Sequence, residues 1–546
     1  MIPQERLLDF GRRHSRVIVA IVLATLTVVA AVRVVATYRV FSNTMDEPYH
    51  VAAGLEWLER GTFAFAGEHP PLGRIAAAVG PYLSGARLGD QQHFGIVALE
   101  ILFANDAYAR NLFLARLGML VFFLLGVAGV FVWTLRLYGV TAALMGVALF
   151  TTTPPVLAHA GLATTDIPLV GTLLWTVFAL TTFVDRPSVA RGAAVGLATG
   201  FALVSKMSAV IFVPTAVLAL VATRLAFARN RPTETPASGR HTVARSLLTA
   251  GLVAPCVVWP VYRFSVGRRL GSLIPGGIVL LAPAFFEAVG SLLVHNAIGH
   301  AGYLLGEYRT TGWWYFFPFA LAVKTPIPFL VLTAIGTVAV IRHARATGEW
   351  QWVGPIAVAT AIVLVSMPTR INIGLRHVLP IYPLLAMTAA YGFVWMWRRA
   401  RGQWGMRALA AALVAWQVVS SSRAHPDYLA YFNELAGRHP ERVLLDSDLD
   451  WGQDLLRLAD TVRVRHIQSI SVAYFGSADG HRLIPAIARP LAPGERTTGW
   501  IAASETFLSN PNPNYAGYRW LNNLTPVARV GKSMKLFYVQ PGTPAP

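Results

Sequence analysis

The chain has 546 residues, 55% of them hydrophobic and only 13% charged, about half the charged share of an ordinary soluble domain. Together with a mean hydropathy of +0.51, this excludes a water-soluble enzyme, a disordered chain and a fibrous repeat, and it predicts a polytopic α-helical membrane protein. The net charge of +19 would suit a nucleic-acid binder, but the order of the basic residues assigns it to membrane topology, and no nucleic acid is expected as a partner. The single cysteine, Cys256, stands in an apolar run, so neither a disulfide framework nor a thiolate metal site is expected.

A membrane helix needs about 20 mostly apolar residues. On that measure about 11 spans are predicted, at 17–40, 112–135, 139–158, 167–184, 190–204, 207–227, 247–264, 314–341, 352–367, 378–397 and 406–421. Basic residues precede the first span (Arg6, Arg12, Arg13, Arg16) and recur in alternate connections: Arg136; Arg186 and Arg191; Arg224, Arg229, Arg231, Arg240 and Arg245; Arg342 and Arg345; Arg398, Arg399, Arg401 and Arg407. Positive charge gathers on the cytoplasmic side, which places the N-terminus inside and, with an odd number of spans, the C-terminus outside. The first apolar stretch reads as a retained span rather than a cleaved signal peptide, because it is long, Arg33 interrupts its end and no clear A-x-A site follows. The expected organisation is a membrane unit, 1–421, with a large outward loop at 41–110, and an outward mixed α/β unit, 422–546, with strands near 469–475 and 535–539. The stretch 229–244 is a cytoplasmic loop of turn formers.

In so apolar a chain the polar groups at the membrane's outer edge are the informative ones. Asn43-Thr-Met-Asp-Glu-Pro-Tyr-His50 follows the first span. Thr44 to Glu47 fits a capping box with Pro48 in the first turn. Neighbours on a helix point about 100° apart, so Asp46 and Glu47 are not expected to face one centre, whereas Asp46, Tyr49 and His50 share a face and offer a carboxylate beside a histidine for proton transfer. Gly67-Glu-His-Pro-Pro-Leu-Gly-Arg74 adds Glu68 and His69 ahead of an amphipathic stretch, 75–83. Asp166, in Thr164-Thr-Asp-Ile-Pro168, reads either as the N-cap of the next helix or as a second acidic site residue. Lys206, Lys324, Arg370, Arg376 and His377 fall on the same side; each cation could snorkel, but gathered together they would meet a lipid-linked phosphate. Asp446, Asp448 and Asp450 match the first ligands of an EF-hand loop, but Trp451 and Arg457 stand where its glycine and glutamate belong, so a turn ahead of a helix at 453–458 is expected instead.

Taken in order, the Asp-Glu pair after the first span, His-Pro-Pro-Leu at 69–72, Thr-Thr-Asp-x-Pro at 164–168, Ser-Lys-Met-Ser around Lys206, Lys-Thr-Pro-x-Pro at 324–328, Gly-x-Arg-His-x-Leu-Pro-x-Tyr-Pro at 374–383 and Leu-Asp-Trp-Gly-Gln-Asp-Leu at 449–455 resemble the GT-C glycosyltransferases. Within them the pattern is most similar to the bacterial branch related to protein O-mannosyltransferases and the lipid A aminoarabinose transferase (family 39-like). The resemblance implies a multi-pass enzyme of the inner (plasma) membrane that takes a sugar from a polyprenyl-phosphate donor to an acceptor glycan, lipid or protein on the outer face. It also implies that Asp46 is the catalytic base, with Glu47 and Asp166 as further acidic positions. His50, Glu68, His69, Lys206, Lys324, Arg370, Arg376 and His377 are its candidate substrate-binding residues. Some of these enzymes use a divalent metal such as Mg or Mn and others none, and the sequence leaves that choice open. No loop is long enough for the MIR β-trefoil of the eukaryotic protein mannosyltransferases, which counts against a simple transfer of their protein acceptor. The rival expectation is a transporter or flippase of a lipid-linked or anionic substrate, for which Lys324 with Pro326 and Pro328 would mark a broken helix.

Overall fold

The computed structural model describes residues 4–65, 67–89, 93–228, 239–267, 279–400 and 403–541, with the side chains of 4–15 set aside. Arg229, Arg231 and Arg401, and the loop residues 229–238, lie outside the described residues. The first helix, α1 (Gln4–Thr37), is followed by a loop region carrying α2 (Glu47–Glu59), α3 (Pro71–Leu83) and α4 (Phe94–Ile101). The bundle continues with α5 (Tyr108–Leu117), α6 (Leu120–Tyr138), α7 (Val140–Thr151), α8 (Pro154–Ala160), α9 (Asp166–Asp185), α10 (Val189–Leu203), α11 (Ala209–Ala228) and α12 (Arg240–Val261). Two short hairpins, β1 (Val266–Gly267) with β2 (Leu280–Leu281) and β3 (Gly302–Leu304) with β4 (Glu307–Arg309), flank α13 (Pro283–Ile298). Then come α14 (Phe316–Lys324), α15 (Ile327–Thr347), α16 (Gly354–Ser366), α17 (Tyr382–Arg399) and α18 (Trp404–Arg423).

Helices occupy all eleven predicted segments. Among the described residues, seven by length and composition are able to cross a membrane, or eight if α7 and α8, bent by 67°, count as one span; α10 and α16 are shorter apolar helices. The predicted span 314–341 needs correction, since it breaks between α14 and α15. Thr325 is extended at φ −101°, ψ 136°, the conformation that a following proline favours. The α7–α8 bend likewise falls where Pro154 and Pro155 end an apolar run. The second span begins inside the predicted loop, at Tyr108.

Close approach of small residues holds the bundle together. A Cβ placed on Gly192, Gly196 or Gly200 of α10 would stand 2.2, 2.6 and 2.6 Å from Ser246, Ala250 and Val257 of α12. A small residue on every fourth position lets two backbones touch along their length, the packing that membrane helices use where water gives no apolar driving force. Gly336 of α15 meets the Thr388 carbonyl of α17 in the same way, 2.0 Å from where its Cβ would be. Polar side chains tie α18 back to the start of the bundle: Arg33 donates to the Ser421 carbonyl at 2.7 Å, and Gln417 to the Thr152 carbonyl at 3.1 Å.

After α18 the chain forms α19 (Leu455–Val464) and a five-stranded sheet in the order β6-β5-β7-β9-β8: β5 (Ser469–Ala473), β6 (Ile487–Pro490), β7 (Gly499–Ser504), β8 (Ala528–Val530) and β9 (Met534–Val539). β5 runs parallel to both β6 and β7, and β9 is antiparallel to β7 and β8. Each face carries its own apolar cluster, around Leu455, Leu458 and Leu536 on one side and Ile501, Leu521 and Phe537 on the other.

Candidate active site

The segment before α2 and the acidic turn 446–454 form one piece of structure. Ser42 N–H donates to the Gln453 carbonyl and Met45 N–H to the Trp451 carbonyl, both at 3.0 Å, while the Ser42 hydroxyl donates to the Gly452 carbonyl at 3.0 Å. Two carboxylates of the turn tie it to later parts of the chain. Asp450 accepts from Thr506 N–H at 3.0 Å, and Asp454 accepts from the backbone N–H groups of Lys532 and Ser533. That agrees with the turn expected from sequence; the helix after it starts at Leu455 and runs further than 453–458.

Asp46 and Glu47 diverge as their helical positions require. The Glu47 carboxylate is fully enclosed. It accepts the Thr44 N–H at 2.8 Å, which is the glutamate half of the expected capping box, and also Arg116 Nε and Nη2 and the Ala163 N–H, each at 2.8 Å. Its catalytic role needs correction: five donors, counting the Thr44 hydroxyl, occupy both oxygens and leave none for a reacting group. Asp46 caps nothing with its side chain. It meets Arg376 Nη1 at 2.8 Å, and that nitrogen lies 4.0 Å from Asp166.

Asp166 does not cap α9 either, since Thr165 holds the N-cap position. Its carboxylate accepts from Lys206 Nζ at 2.5 Å and from the Thr164 hydroxyl at 2.9 Å, with His159 Nδ1 at 3.6 Å. Four groups from four parts of the chain therefore form a row, Asp46–Arg376–Asp166–Lys206. Along the row side-chain exposure is 32% for Asp46, 11% for Arg376, 1% for Asp166 and 9% for Lys206. Asp46 is the accessible carboxylate and Asp166 the buried one.

The remaining expectations divide. His50, His69 and His377 border the cluster. His50 and His69 rings lie 5.4 Å apart, and His50 Nδ1 and His377 Nε2 have no hydrogen-bond partner among the described residues. Glu68 is exposed, and its charge acts on Arg74. Two phosphate-binding candidates, Lys324 and Arg370, are bonded to backbone carbonyls and not to the row. Lys324 is buried, with its ammonium on the carbonyls of Leu429 at 2.7 Å and Asp448 at 2.5 Å and over the Phe432 ring; it fastens α14 to the segment after α18. Arg370 is exposed and donates to the Ala297 carbonyl at 3.0 Å. Two residues with no role read from sequence do belong here. Trp451 lies under the Arg376 guanidinium, 4.3 Å from it to the ring centroid. Asp446, at φ 53°, adds a third carboxyl in the field of Arg376 and Asp46, pushed up to about 7 by burial.

The carboxylates do not fit a metal. Asp46 and Asp166 are already engaged by arginine and lysine, and no three His, Cys, Asp or Glu side chains among the described residues converge as a ligand set.

Burial, reinforced by the Arg74 guanidinium, pushes His50 down from 6.5 to about 3, and the same two causes lower His69. Folded His50 thus binds its proton more weakly than the unfolded chain does. The stability from keeping it neutral is complete above about pH 6.5 and is lost as pH falls through the window toward 3. We expect the melting temperature in detergent to drop across that window, and His50→Gln to flatten the drop; an equal slope in the variant would remove His50 as a contributor.

Against known proteins, residues 108–259 match the model of the dolichyl-phosphate-mannose-protein mannosyltransferase family. No curated protein matches the chain in sequence. Among solved structures the chain resembles ArnT from Cupriavidus metallidurans. In the form bound to undecaprenyl phosphate the TM-score is 0.51 at 15% identity, covering 94% of this chain and 97% of that one. In the apo state the TM-score is 0.52 at 14% identity, over the same shares. The chain is a multi-pass membrane protein with the GT-C fold.

Proposed function

We propose that this protein is an inverting membrane glycosyltransferase that moves a sugar from a polyprenyl-phosphate donor to a hydroxyl of an extracytoplasmic acceptor, with Asp46 as the general base. The observation that carries the reading is the row Asp46–Arg376–Asp166–Lys206, in which a carboxylate open to solvent lies beside two cations backed by a buried carboxylate. The lipid-linked substrate accords with the undecaprenyl phosphate in the ArnT structure. The chain makes eleven crossings when the shorter helices α10 and α16, and α18, span together with the eight longer apolar segments. Its N-terminus is cytoplasmic, and the 41–110 loop and the 422–546 unit are outside, as the basic connections require.

The row is electrically balanced, two negative and two positive groups. In the reaction the acceptor oxygen attacks the anomeric carbon, its proton passes to Asp46, and the bond from that carbon to the phosphate oxygen breaks. The donor phosphodiester carries one negative charge and the released polyprenyl phosphate gains a second. Protonation of Asp46 leaves the row with one net positive charge as that negative charge develops, and Arg376 and Lys206 are placed to hold it. Asp166 keeps the two cations oriented.

Membranes containing the protein, supplied with radiolabelled polyprenyl-phosphate sugar, should release label into an acceptor product. Label that stays wholly in the donor would overturn the reading. Because the carboxylates pair with cations, EDTA should leave the initial rate within about twofold of the untreated value; loss of activity restored by Mn²⁺ or Mg²⁺ would show that a metal takes part.

A further inference from the structure

A crevice of about 360 Å³ opens in the C-terminal sheet, lined in part by Tyr474, Asp479, His481, Arg489, Phe507 and Tyr518. This lies within the roughly 300–1,000 Å³ of small-molecule sites. Its position follows from topology. Interior strand β5 runs parallel to β6 on one side and β7 on the other; the connection leaving β5 leads to β6 and the one leaving β7 leads the other way, to β8 and β9, so a gap opens beyond their carboxyl ends, lined by Tyr474, Leu491 and Phe507. Open α/β sheets bind their ligands in such gaps.

The lining has a definite chemistry. The Phe507 and Tyr518 rings stack at 4.8 Å and 10°, and the Tyr518 hydroxyl is spent on the Leu491 carbonyl at 2.9 Å. These rings contribute flat apolar surface. Around it stand exposed His481, Asp479, whose Oδ1 already accepts the N–H groups of His481 and Arg482, and Arg489, which pairs with Glu495 and Thr497 and turns its exposed side chain to solvent. Flat apolar surface ringed by charged donors and acceptors suits a sugar ring, whose C–H face packs on an aromatic while its hydroxyls bond in the ring plane. A lipid tail would leave the charges without use.

The wall is also continuous with the row of charges. The Tyr474 hydroxyl donates to the Gly452 carbonyl at 2.5 Å, next to Trp451. The Ser477 hydroxyl reaches the carbonyls of Thr44 at 3.3 Å and Met45 at 2.9 Å, and Asp46 is the next residue. The Tyr474 ring lies close against the Gly476 backbone, where a Cβ would stand 2.2 Å from it.

We infer that this crevice is an acceptor subsite that holds a sugar ring of a carbohydrate-bearing acceptor, with Phe507 and Tyr474 as its apolar face and Asp479, His481 and Arg489 as its hydrogen-bonding rim. The inference rests on the reading of Asp46 as the place of transfer, because it makes the acceptor a glycan or glycolipid.

The test uses the full chain in detergent micelles and saturation-transfer NMR with maltose, cellobiose, chitobiose and mannobiose, each at about 10 mM, as suits ~millimolar affinity. At least one disaccharide should receive saturation. Arg489→Ala and His481→Ala, both at exposed positions, and Phe507→Ala should each weaken its binding about tenfold, whereas Asp46→Asn should bind it as wild type does. Absence of transfer to all four sugars, or undiminished binding in Arg489→Ala and His481→Ala, overturns the subsite. Displacement of the sugar by a short peptide but not by a second disaccharide overturns the carbohydrate assignment. Failure of the base assignment is separate, as it appears as sugar transfer by Asp46→Asn with disaccharide binding intact.

Discussion

Asp46→Asn lowers the initial rate of sugar transfer by about 10²–10⁴-fold, the range over which a positioned general base contributes, and leaves the melting temperature within about 2 °C of wild type, as is usual for a surface change away from the core. The two halves of that expectation come from one geometric fact. Asp46 holds its carboxylate against Arg376 at 2.8 Å while keeping a third of its side chain exposed, so an amide of the same shape still offers Arg376 an oxygen and leaves no cavity. What the amide does not do is take a proton from the acceptor hydroxyl. The amide leaves the row with a fixed net positive charge, so the hold on the leaving phosphate is kept and the rate lost is that of proton acceptance alone. Transfer rates measured in membranes at equal protein, with melting curves of the purified variant, check both halves. Wild-type activity in Asp46→Asn would exclude it as the base and leave Asp446, the other carboxyl in the field of Arg376, as the group to test next.

How much of this the sequence disclosed depends on how far apart the interacting residues lie. The 100° between successive helical residues is local, and it separated Asp46 from Glu47 correctly. The capping pair Thr44–Glu47 is three residues apart and was equally legible. The meeting of Asp46, Asp166, Lys206 and Arg376 spans 330 residues and could be expected only from their shared sidedness and from the family resemblance. The breaks after Thr325 and Thr153 carried a local signal in the prolines that follow, but hydropathy averages over such breaks, and the predicted spans ran through them. Arg116 gave no signal: an arginine eight residues into the run from Tyr108 reads as a snorkelling charge until the fold brings it 69 positions back to Glu47. Trp451 and Asp446 belong to a turn whose carboxylates drew attention to metal binding, whereas its contribution to the site comes from docking on residues 42–45, more than 400 positions away.

Glu47→Ala is expected to fail through stability where Asp46→Asn fails through chemistry. Glu47 and Arg116 are both almost wholly buried, at 0% and 1% exposure, and removing one partner of a buried ion pair costs about 3–5 kcal/mol because the other charge is left without compensation. The consequence spreads because Arg116 also donates to the carbonyls of Tyr38, Phe41 and Ser42, and Glu47 accepts from the N–H of Ala163. One pair thus joins the end of α1, the entry to α2 and the turn leading to Asp166, so its loss displaces both carboxylates of the row together. Arg116→Met should destabilise to a similar extent, and the double variant should lose less than the sum of the two, since it leaves no buried charge unpaired. Melting temperatures of the three variants in detergent test this coupling. If Glu47→Ala kept the wild-type melting temperature and lost transfer, its carboxylate would act in the reaction itself, and the division of labour between these two adjacent acids would have to be reversed.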